Sequence, residues 1–131
     1  MIIKSLSALK KLSIFIVACY TVALATVSLL NISNLPKITE NNSDKIYHLV
    51  AYAILMVLWF NALFYRIGLK RGKALLFAAI ISIVFGIIIE VLQDTATDVR
   101  QADILDFVAN FIGVVVGGLF IILRKRLNMK K

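Results

Sequence analysis

Cysteine, proline and histidine are almost missing from this sequence, which has one of each, and acids are scarce, seven against fifteen lysines and arginines. The lone cysteine, Cys19, rules out an internal disulfide and a paired-cysteine metal site, so cysteine usage says nothing about redox compartment. No glycine-rich phosphate loop, HExxH zinc helix or serine nucleophile elbow is present, which removes the common nucleotide, zincin and hydrolase signatures. Internal repeats and heptad arrays are also missing.

What the sequence has instead is apolar length. It is 61% hydrophobic and only 17% charged, far from the soluble average. Residues 12–30, 46–65, 74–92 and 104–123 are each predominantly apolar, and each spans about 30 Å as a helix, one bilayer crossing. The expected fold is all-α: a single membrane domain over residues 1–131, with four transmembrane helices arranged as two antiparallel hairpins. Ile16-Val17-Ala18-Cys19 has the form of a lipoprotein cleavage box, but the apolar run continues to Leu30, so cleavage is not expected.

The net charge of +8 invites a nucleic-acid reading until its placement is checked. Lys4, Lys10 and Lys11 precede the first run, Arg66, Lys70, Arg71 and Lys73 fill the second connection, and Arg124, Lys125, Arg126, Lys130 and Lys131 follow the last. Four crossings put all of these on one side. Lys37, Lys45 and Arg100 fall on the other, together with the acids. By the positive-inside rule both termini are cytoplasmic, the basic charge serves topology and headgroup anchoring, and no nucleic-acid partner is expected.

In the first segment Ala18, Thr21, Ala25 and Ser28 form a small-residue stripe suited to close helix packing. The polar stretch 31–45, which holds Pro36, reads as an outer loop, with Ser43 or Asp44 as N-cap of the second helix. Asp44, His48 and Tyr52 follow at one-turn spacing and share a face near the outer surface. Trp59, Phe60 and Tyr65 read as a cytoplasmic aromatic belt. The connection Arg66 to Lys73, with Gly68 and Gly72, reads as a tight turn.

The densest chemistry lies between Phe85 and Gly118. Ser82, Gly86, Glu90 and Gln93 share one face of the third segment; Asp103, Asp106, Asn110, Gly113 and Gly117 share one face of the fourth. A carboxylate inside an apolar run costs roughly 2.5–3.5 kcal/mol at full depth and is rare without a partner or a task. The two stripes are therefore expected to turn inward and pack on each other, and the Gly113/Gly117 pair is expected to serve packing within the chain.

These residues, from about Pro36 to Gly118, resemble the VanZ-like family of small bacterial membrane proteins. The resemblance runs through Asp44-Lys45, His48 and Tyr52, then Gly86, Glu90 and Gln93, then Arg100, Asp103, Asp106, Asn110, Gly113 and Gly117. Leu49 departs from it, standing where the family often has an aromatic residue. The resemblance implies a multi-pass protein of the bacterial cytoplasmic membrane, in a family named for a member associated with teicoplanin resistance. It implies no reaction.

Three readings of the polar cluster stay open. In the first, Asp44, Tyr52, Gln93, Arg100, Asp103, Asp106 and Asn110 bind the head of a membrane lipid or lipid-linked envelope precursor, with Arg100 on phosphate. A lipoglycopeptide with its acyl tail in the same leaflet would meet that site. In the second, His48 and Glu90 are catalytic on such a headgroup, His48 as general base or acid and Glu90 as its orienter or proton partner, with a divalent cation on Asp103 or Asp106; no other cofactor is expected, and acids with one histidine suit a metal without diagnosing it. In the third, a closed network pairs Arg100 with Asp103 or Asp106 and His48 with Glu90 and only holds the helices together.

Overall fold

A computed structural model describes residues 2–30, 43–96 and 103–129. Pro36, the polar stretch around it and Arg100 lie outside the described residues. Among the described residues four α-helices follow one another: α1 (Ile2–Leu29), α2 (Ser43–Asn61), α3 (Arg71–Ala96) and α4 (Ile104–Met129). The described residues contain four helices long and apolar enough to cross a membrane, Ser7–Leu29, Asp44–Arg66, Arg71–Ala96 and Ile104–Met129. This is the organisation of a multi-pass membrane protein.

The helices overrun the apolar runs at several ends. Hydropathy marks the part of a helix that suits lipid, whereas backbone hydrogen bonding continues through flanking lysines and arginines, which are good helix formers. Beyond Asn61, α2 widens into a π-helical turn, Ala62–Arg66, and closes with Ile67 N–H donating to the Ala62 carbonyl at 3.1 Å. Gly68 follows at φ 81°, a left-handed conformation that glycine adopts without steric cost. It reverses the chain ahead of α3, as the tight-turn reading expects, while Gly72 is already inside α3.

Helix α2 is the hub. It packs most extensively on α4, and α1 and α3 also lie against it. Tyr52, Leu55, Met56, Phe60 and Leu63 form the core with Ala74 and Ala78 of α3 and Val114 and Ile121 of α4. The closest approach is at the α4 glycines. A Cβ on Gly113 would fall on the Leu49 carbonyl oxygen, and one on Gly117 would come within 2.6 Å of the Ala53 carbonyl oxygen and 3.0 Å of the Met56 side chain. Partner numbers rise together along the two helices, so α2 and α4 run in the same direction.

This corrects one expectation. The α4 glycines receive α2, not α3. Lipid offers little gain from pressing apolar faces together, so the helix whose backbone fits the glycine groove wins. Gly86 of α3 takes a related place, where a Cβ would lie 3.1 Å from the Tyr52 ring and 3.5 Å from the Asn110 amide nitrogen.

Around this core the outer surface is apolar. Phe15, Val22, Ile88, Val91, Phe111 and Leu119 are all exposed, as expected where acyl chains are the solvent. Helix α1 is the least embedded, and its small-residue stripe faces the bundle in part: Ser28 is buried and Thr21 and Ala25 are half-buried, whereas Ala18 is exposed and Val17 takes its place. Tyr20, whose hydroxyl donates to the Ala51 carbonyl at 2.8 Å, sets the rotation of α1 against α2.

The aromatic belt also needs correction. Phe60 is a core residue at 3% exposure, stacked on Phe64 and covered by the Arg71 guanidinium at 5.3 Å. Arg71 further donates to the Ile121 carbonyl at 2.8 Å. A cation over an aromatic face and a charge-assisted hydrogen bond offset the desolvation of the ring's neighbourhood. Only Tyr65, half exposed, has the character of a belt residue.

Candidate functional site

Both polar stripes turn inward. Ser82, Gly86, Glu90 and Gln93 of α3 are buried, as are Asn110, Gly113 and Gly117 of α4. The site forms where the first turns of α2 and α4 meet the last turns of α3. Asp44 stands in the first turn of α2 and Asp106 in that of α4, where helix N-termini favour negative charge.

His48 is the centre. Its Nδ1–H donates to Asn110 Oδ1 at 3.0 Å, and its Nε2 lies 3.8 Å from Asp106 Oδ2 and 3.9 Å from Asp44 Oδ1. One ring nitrogen is thus committed to Asn110, while the other faces the two carboxylates beyond hydrogen-bond distance.

Asp103 is accounted for by the fold. Its Oδ1 accepts from Leu105 N–H at 2.8 Å, an N-cap on α4, and its Oδ2 lies 3.8 Å from Lys45 Nζ. The Arg100 pairing with Asp103 or Asp106 lies outside the described residues; among those described, Lys45 is the cation beside Asp103. Gln93 also ties helices together, its amide donating to the Ser28 carbonyl of α1 at 2.8 Å. The expected His48–Glu90 pair gives way to His48–Asn110, because Asn110 shares α4's inward face with the glycines that bring α2 close.

Several groups are left over. Among the described residues, both oxygens of Glu90, Asp106 Oδ1, Asn110 Nδ2, Tyr52 Oη and Ser82 Oγ are buried with no hydrogen-bond partner. Glu90 is 6% exposed and Tyr52 1%. The Glu90 carboxylate is within electrostatic reach of His48, Asp106 and the Asp103 backbone, but outside hydrogen-bond geometry. Native proteins leave few buried polar groups unsatisfied, and each costs about 1–3 kcal/mol.

The opposite end of the bundle, which the sequence marks with basic residues, an aromatic belt and a tight turn but no site, holds two cavities. One of about 380 Å³ lies between α1, α2 and α4 against Lys10, Ser13, Asn61, Tyr65 and Arg124. A smaller one of about 80 Å³ is bounded by Asn61, Arg71, Arg124 and Lys125. Asn61, which interrupts an apolar run, was the signal for both. They also put residues 10, 61–71 and 124–125 at one end, away from His48 and Glu90.

The chain matches no family model, no curated protein and no solved structure. What can be said of its function rests on the residues and their geometry.

Proposed function

We propose that this chain is a VanZ-like integral membrane protein of the bacterial cytoplasmic membrane, and that its His48 cluster binds the phosphate-bearing head of a lipid or lipid-linked envelope precursor at the outer leaflet. The unpaired buried groups carry the reading: the Asn110 amide and Tyr52 hydroxyl are unused donors, and Glu90 and Asp106 are unused acceptors that suit the hydroxyl or amine groups of a head, leaving the phosphate itself to Arg100. A network that served packing alone would be closed. An acyl tail against the apolar flanks of α3 and α4 would leave the head at their polar ends, with Arg100 on phosphate. A lipoglycopeptide inserting its tail in the same leaflet would compete for this place, in keeping with the family's association with teicoplanin.

The topology in this proposal is two antiparallel hairpins with both termini cytoplasmic. It is supported by the shared direction of α2 and α4, which four alternating crossings require, and by the gathering of Lys10, Arg71, Arg124 and Lys125 at one end. Fusions of green fluorescent protein and of alkaline phosphatase to each terminus test it. Fluorescent, phosphatase-inactive cells are expected for both; an active phosphatase at either end would overturn the topology.

One observation favours headgroup modification over binding alone, the His48 ring held by Asn110 with its Nε2 facing two carboxylates. The two readings separate in one experiment, in which the purified protein is titrated with a polyprenyl-diphosphate-linked sugar. A lost charge-assisted contact of about 1.5–3 kcal/mol corresponds to about 10–100-fold in affinity, so Arg100→Ala is expected to lose at least tenfold while His48→Ala stays within a few-fold of wild type. Turnover of the probe by wild type, abolished in His48→Ala with binding intact, would establish the enzymatic reading. Two folded variants with unchanged affinity would reject the site.

A further inference from the structure

The three ligand-type atoms nearest each other in the site are His48 Nε2 and one carboxylate oxygen each from Asp44 and Asp106, all within 4.8 Å of one another. We infer that Asp44, His48 and Asp106 hold a divalent first-row transition cation, with Asn110 orienting the imidazole and Glu90 supplying further negative charge beside it.

Charge comes first. Lys45 is paired with Asp103, which leaves Asp44, Asp106 and Glu90 around a single imidazole among the described residues. Glu90 is nine-tenths buried, and neither of its oxygens has a partner. Carboxyl groups crowded beside one imidazole at low dielectric are a setting in which a divalent cation binds strongly, because the ion allows them to ionise together. The cluster's own hydrogen bonds supply no such positive charge; a divalent ion does.

Geometry agrees. With metal–ligand bonds of about 2.0–2.2 Å, neighbouring ligand atoms in a tetrahedral site lie about 3.3–3.6 Å apart. The His48 Nε2 separations of 3.8 and 3.9 Å are a few tenths wider. Asp44, whose side chain is 59% exposed, can rotate to close the difference. The Nδ1–H of a metal-bound histidine is characteristically given to an oxygen acceptor that fixes the ring, and Asn110 Oδ1 at 3.0 Å occupies that place. One imidazole with two carboxylates suits Mn²⁺ or Zn²⁺ better than Ca²⁺ or Mg²⁺, which prefer oxygen alone. Three protein ligands leave positions open for water or a ligand oxygen.

The composition supplies the test. His48 is the only histidine, so protein purified in a maltoside detergent with a histidine-free affinity tag has one imidazole that can report. Titration with Mn²⁺, followed by electron paramagnetic resonance, is expected to show one saturable site with nitrogen modulation in the spin-echo signal. In His48→Gln the nitrogen modulation vanishes and affinity falls at least about tenfold; in Asn110→Ala the modulation stays and affinity falls about 10–100-fold. Asp44→Asn alters an exposed carboxylate and keeps a side chain that can cap a helix, so the fold is retained. It is expected to weaken binding about tenfold, whereas Asp94→Asn leaves it unchanged. Absence of a saturable site in wild type, or equal affinity in Asp44→Asn, overturns the inference. The assay contains no phosphate, so its outcome is independent of whether the headgroup reading holds.

Discussion

Glu90→Leu, measured in a chelator, is expected to unfold at higher denaturant than wild type, a gain of about 1–3 kcal/mol. Leucine fills a similar volume and removes two buried oxygens that have no hydrogen-bond partner. A charge at full membrane depth costs roughly 2.5–3.5 kcal/mol, and even a protonated carboxyl without partners costs about 1–3 kcal/mol. Either form of Glu90 gives the same sign. If Glu90 instead belonged to a closed ionic network, its removal would strand a partner and destabilise by about 3–5 kcal/mol, so the direction of the shift decides between the two. Added Mn²⁺ should reverse the order, because an ion that binds only the folded state stabilises it in proportion to ln(1 + [L]/Kd), and the variant would gain less. Equilibrium unfolding in mixed micelles with and without the ion reads both effects. A Glu90→Leu protein that is less stable in chelator would reject the view that this carboxylate is held for a ligand.

The other large effect lies in the glycine groove. Gly113→Leu is expected to abolish folding, and Gly113→Ala to destabilise despite alanine's better helix propensity. The Cβ would fall on the Leu49 carbonyl oxygen, a backbone atom that cannot rotate away, so α2 and α4 must separate along their main interface. Overpacking costs about 1–3 kcal/mol for a methylene or so, against a helix-propensity gain of at most about 1 kcal/mol. Gly117→Ala, with its Cβ 2.6 Å from the Ala53 carbonyl oxygen, should behave alike. Gly72→Ala is the control, since nothing lies within 4 Å of its Cβ position and only the propensity gain remains. Unfolding midpoints for the three alanine variants test the ranking. If Gly113→Ala and Gly117→Ala prove as stable as Gly72→Ala, the α2–α4 packing described here is wrong. Because the same contact brings Leu49 and Tyr52 against α4, the His48–Asn110 bond should weaken with it.

The fold class was legible because it depends on local quantities. Run length against bilayer thickness gives the four spans, and periodicity puts Ser82, Gly86, Glu90 and Gln93, and likewise Asn110, Gly113 and Gly117, on faces that are indeed buried. His48 and Asp106 stand out because polar groups in apolar runs announce themselves, and Asp44 because it lies one turn before His48. Their partners do not. Periodicity assigns a residue to a face of its helix but leaves open which neighbour that face meets, and in lipid no difference in apolarity makes the choice. Backbone fit makes it: α2 seated on Gly113 and Gly117 gives His48 to Asn110 instead of Glu90, Lys45 takes Asp103, and Phe60 turns inward beneath Arg71. The sequence by itself determined the four apolar spans and which side of α3 and α4 is buried; only tertiary packing decided which polar groups meet and which are left unpaired, because that depends on how closely two backbones can approach.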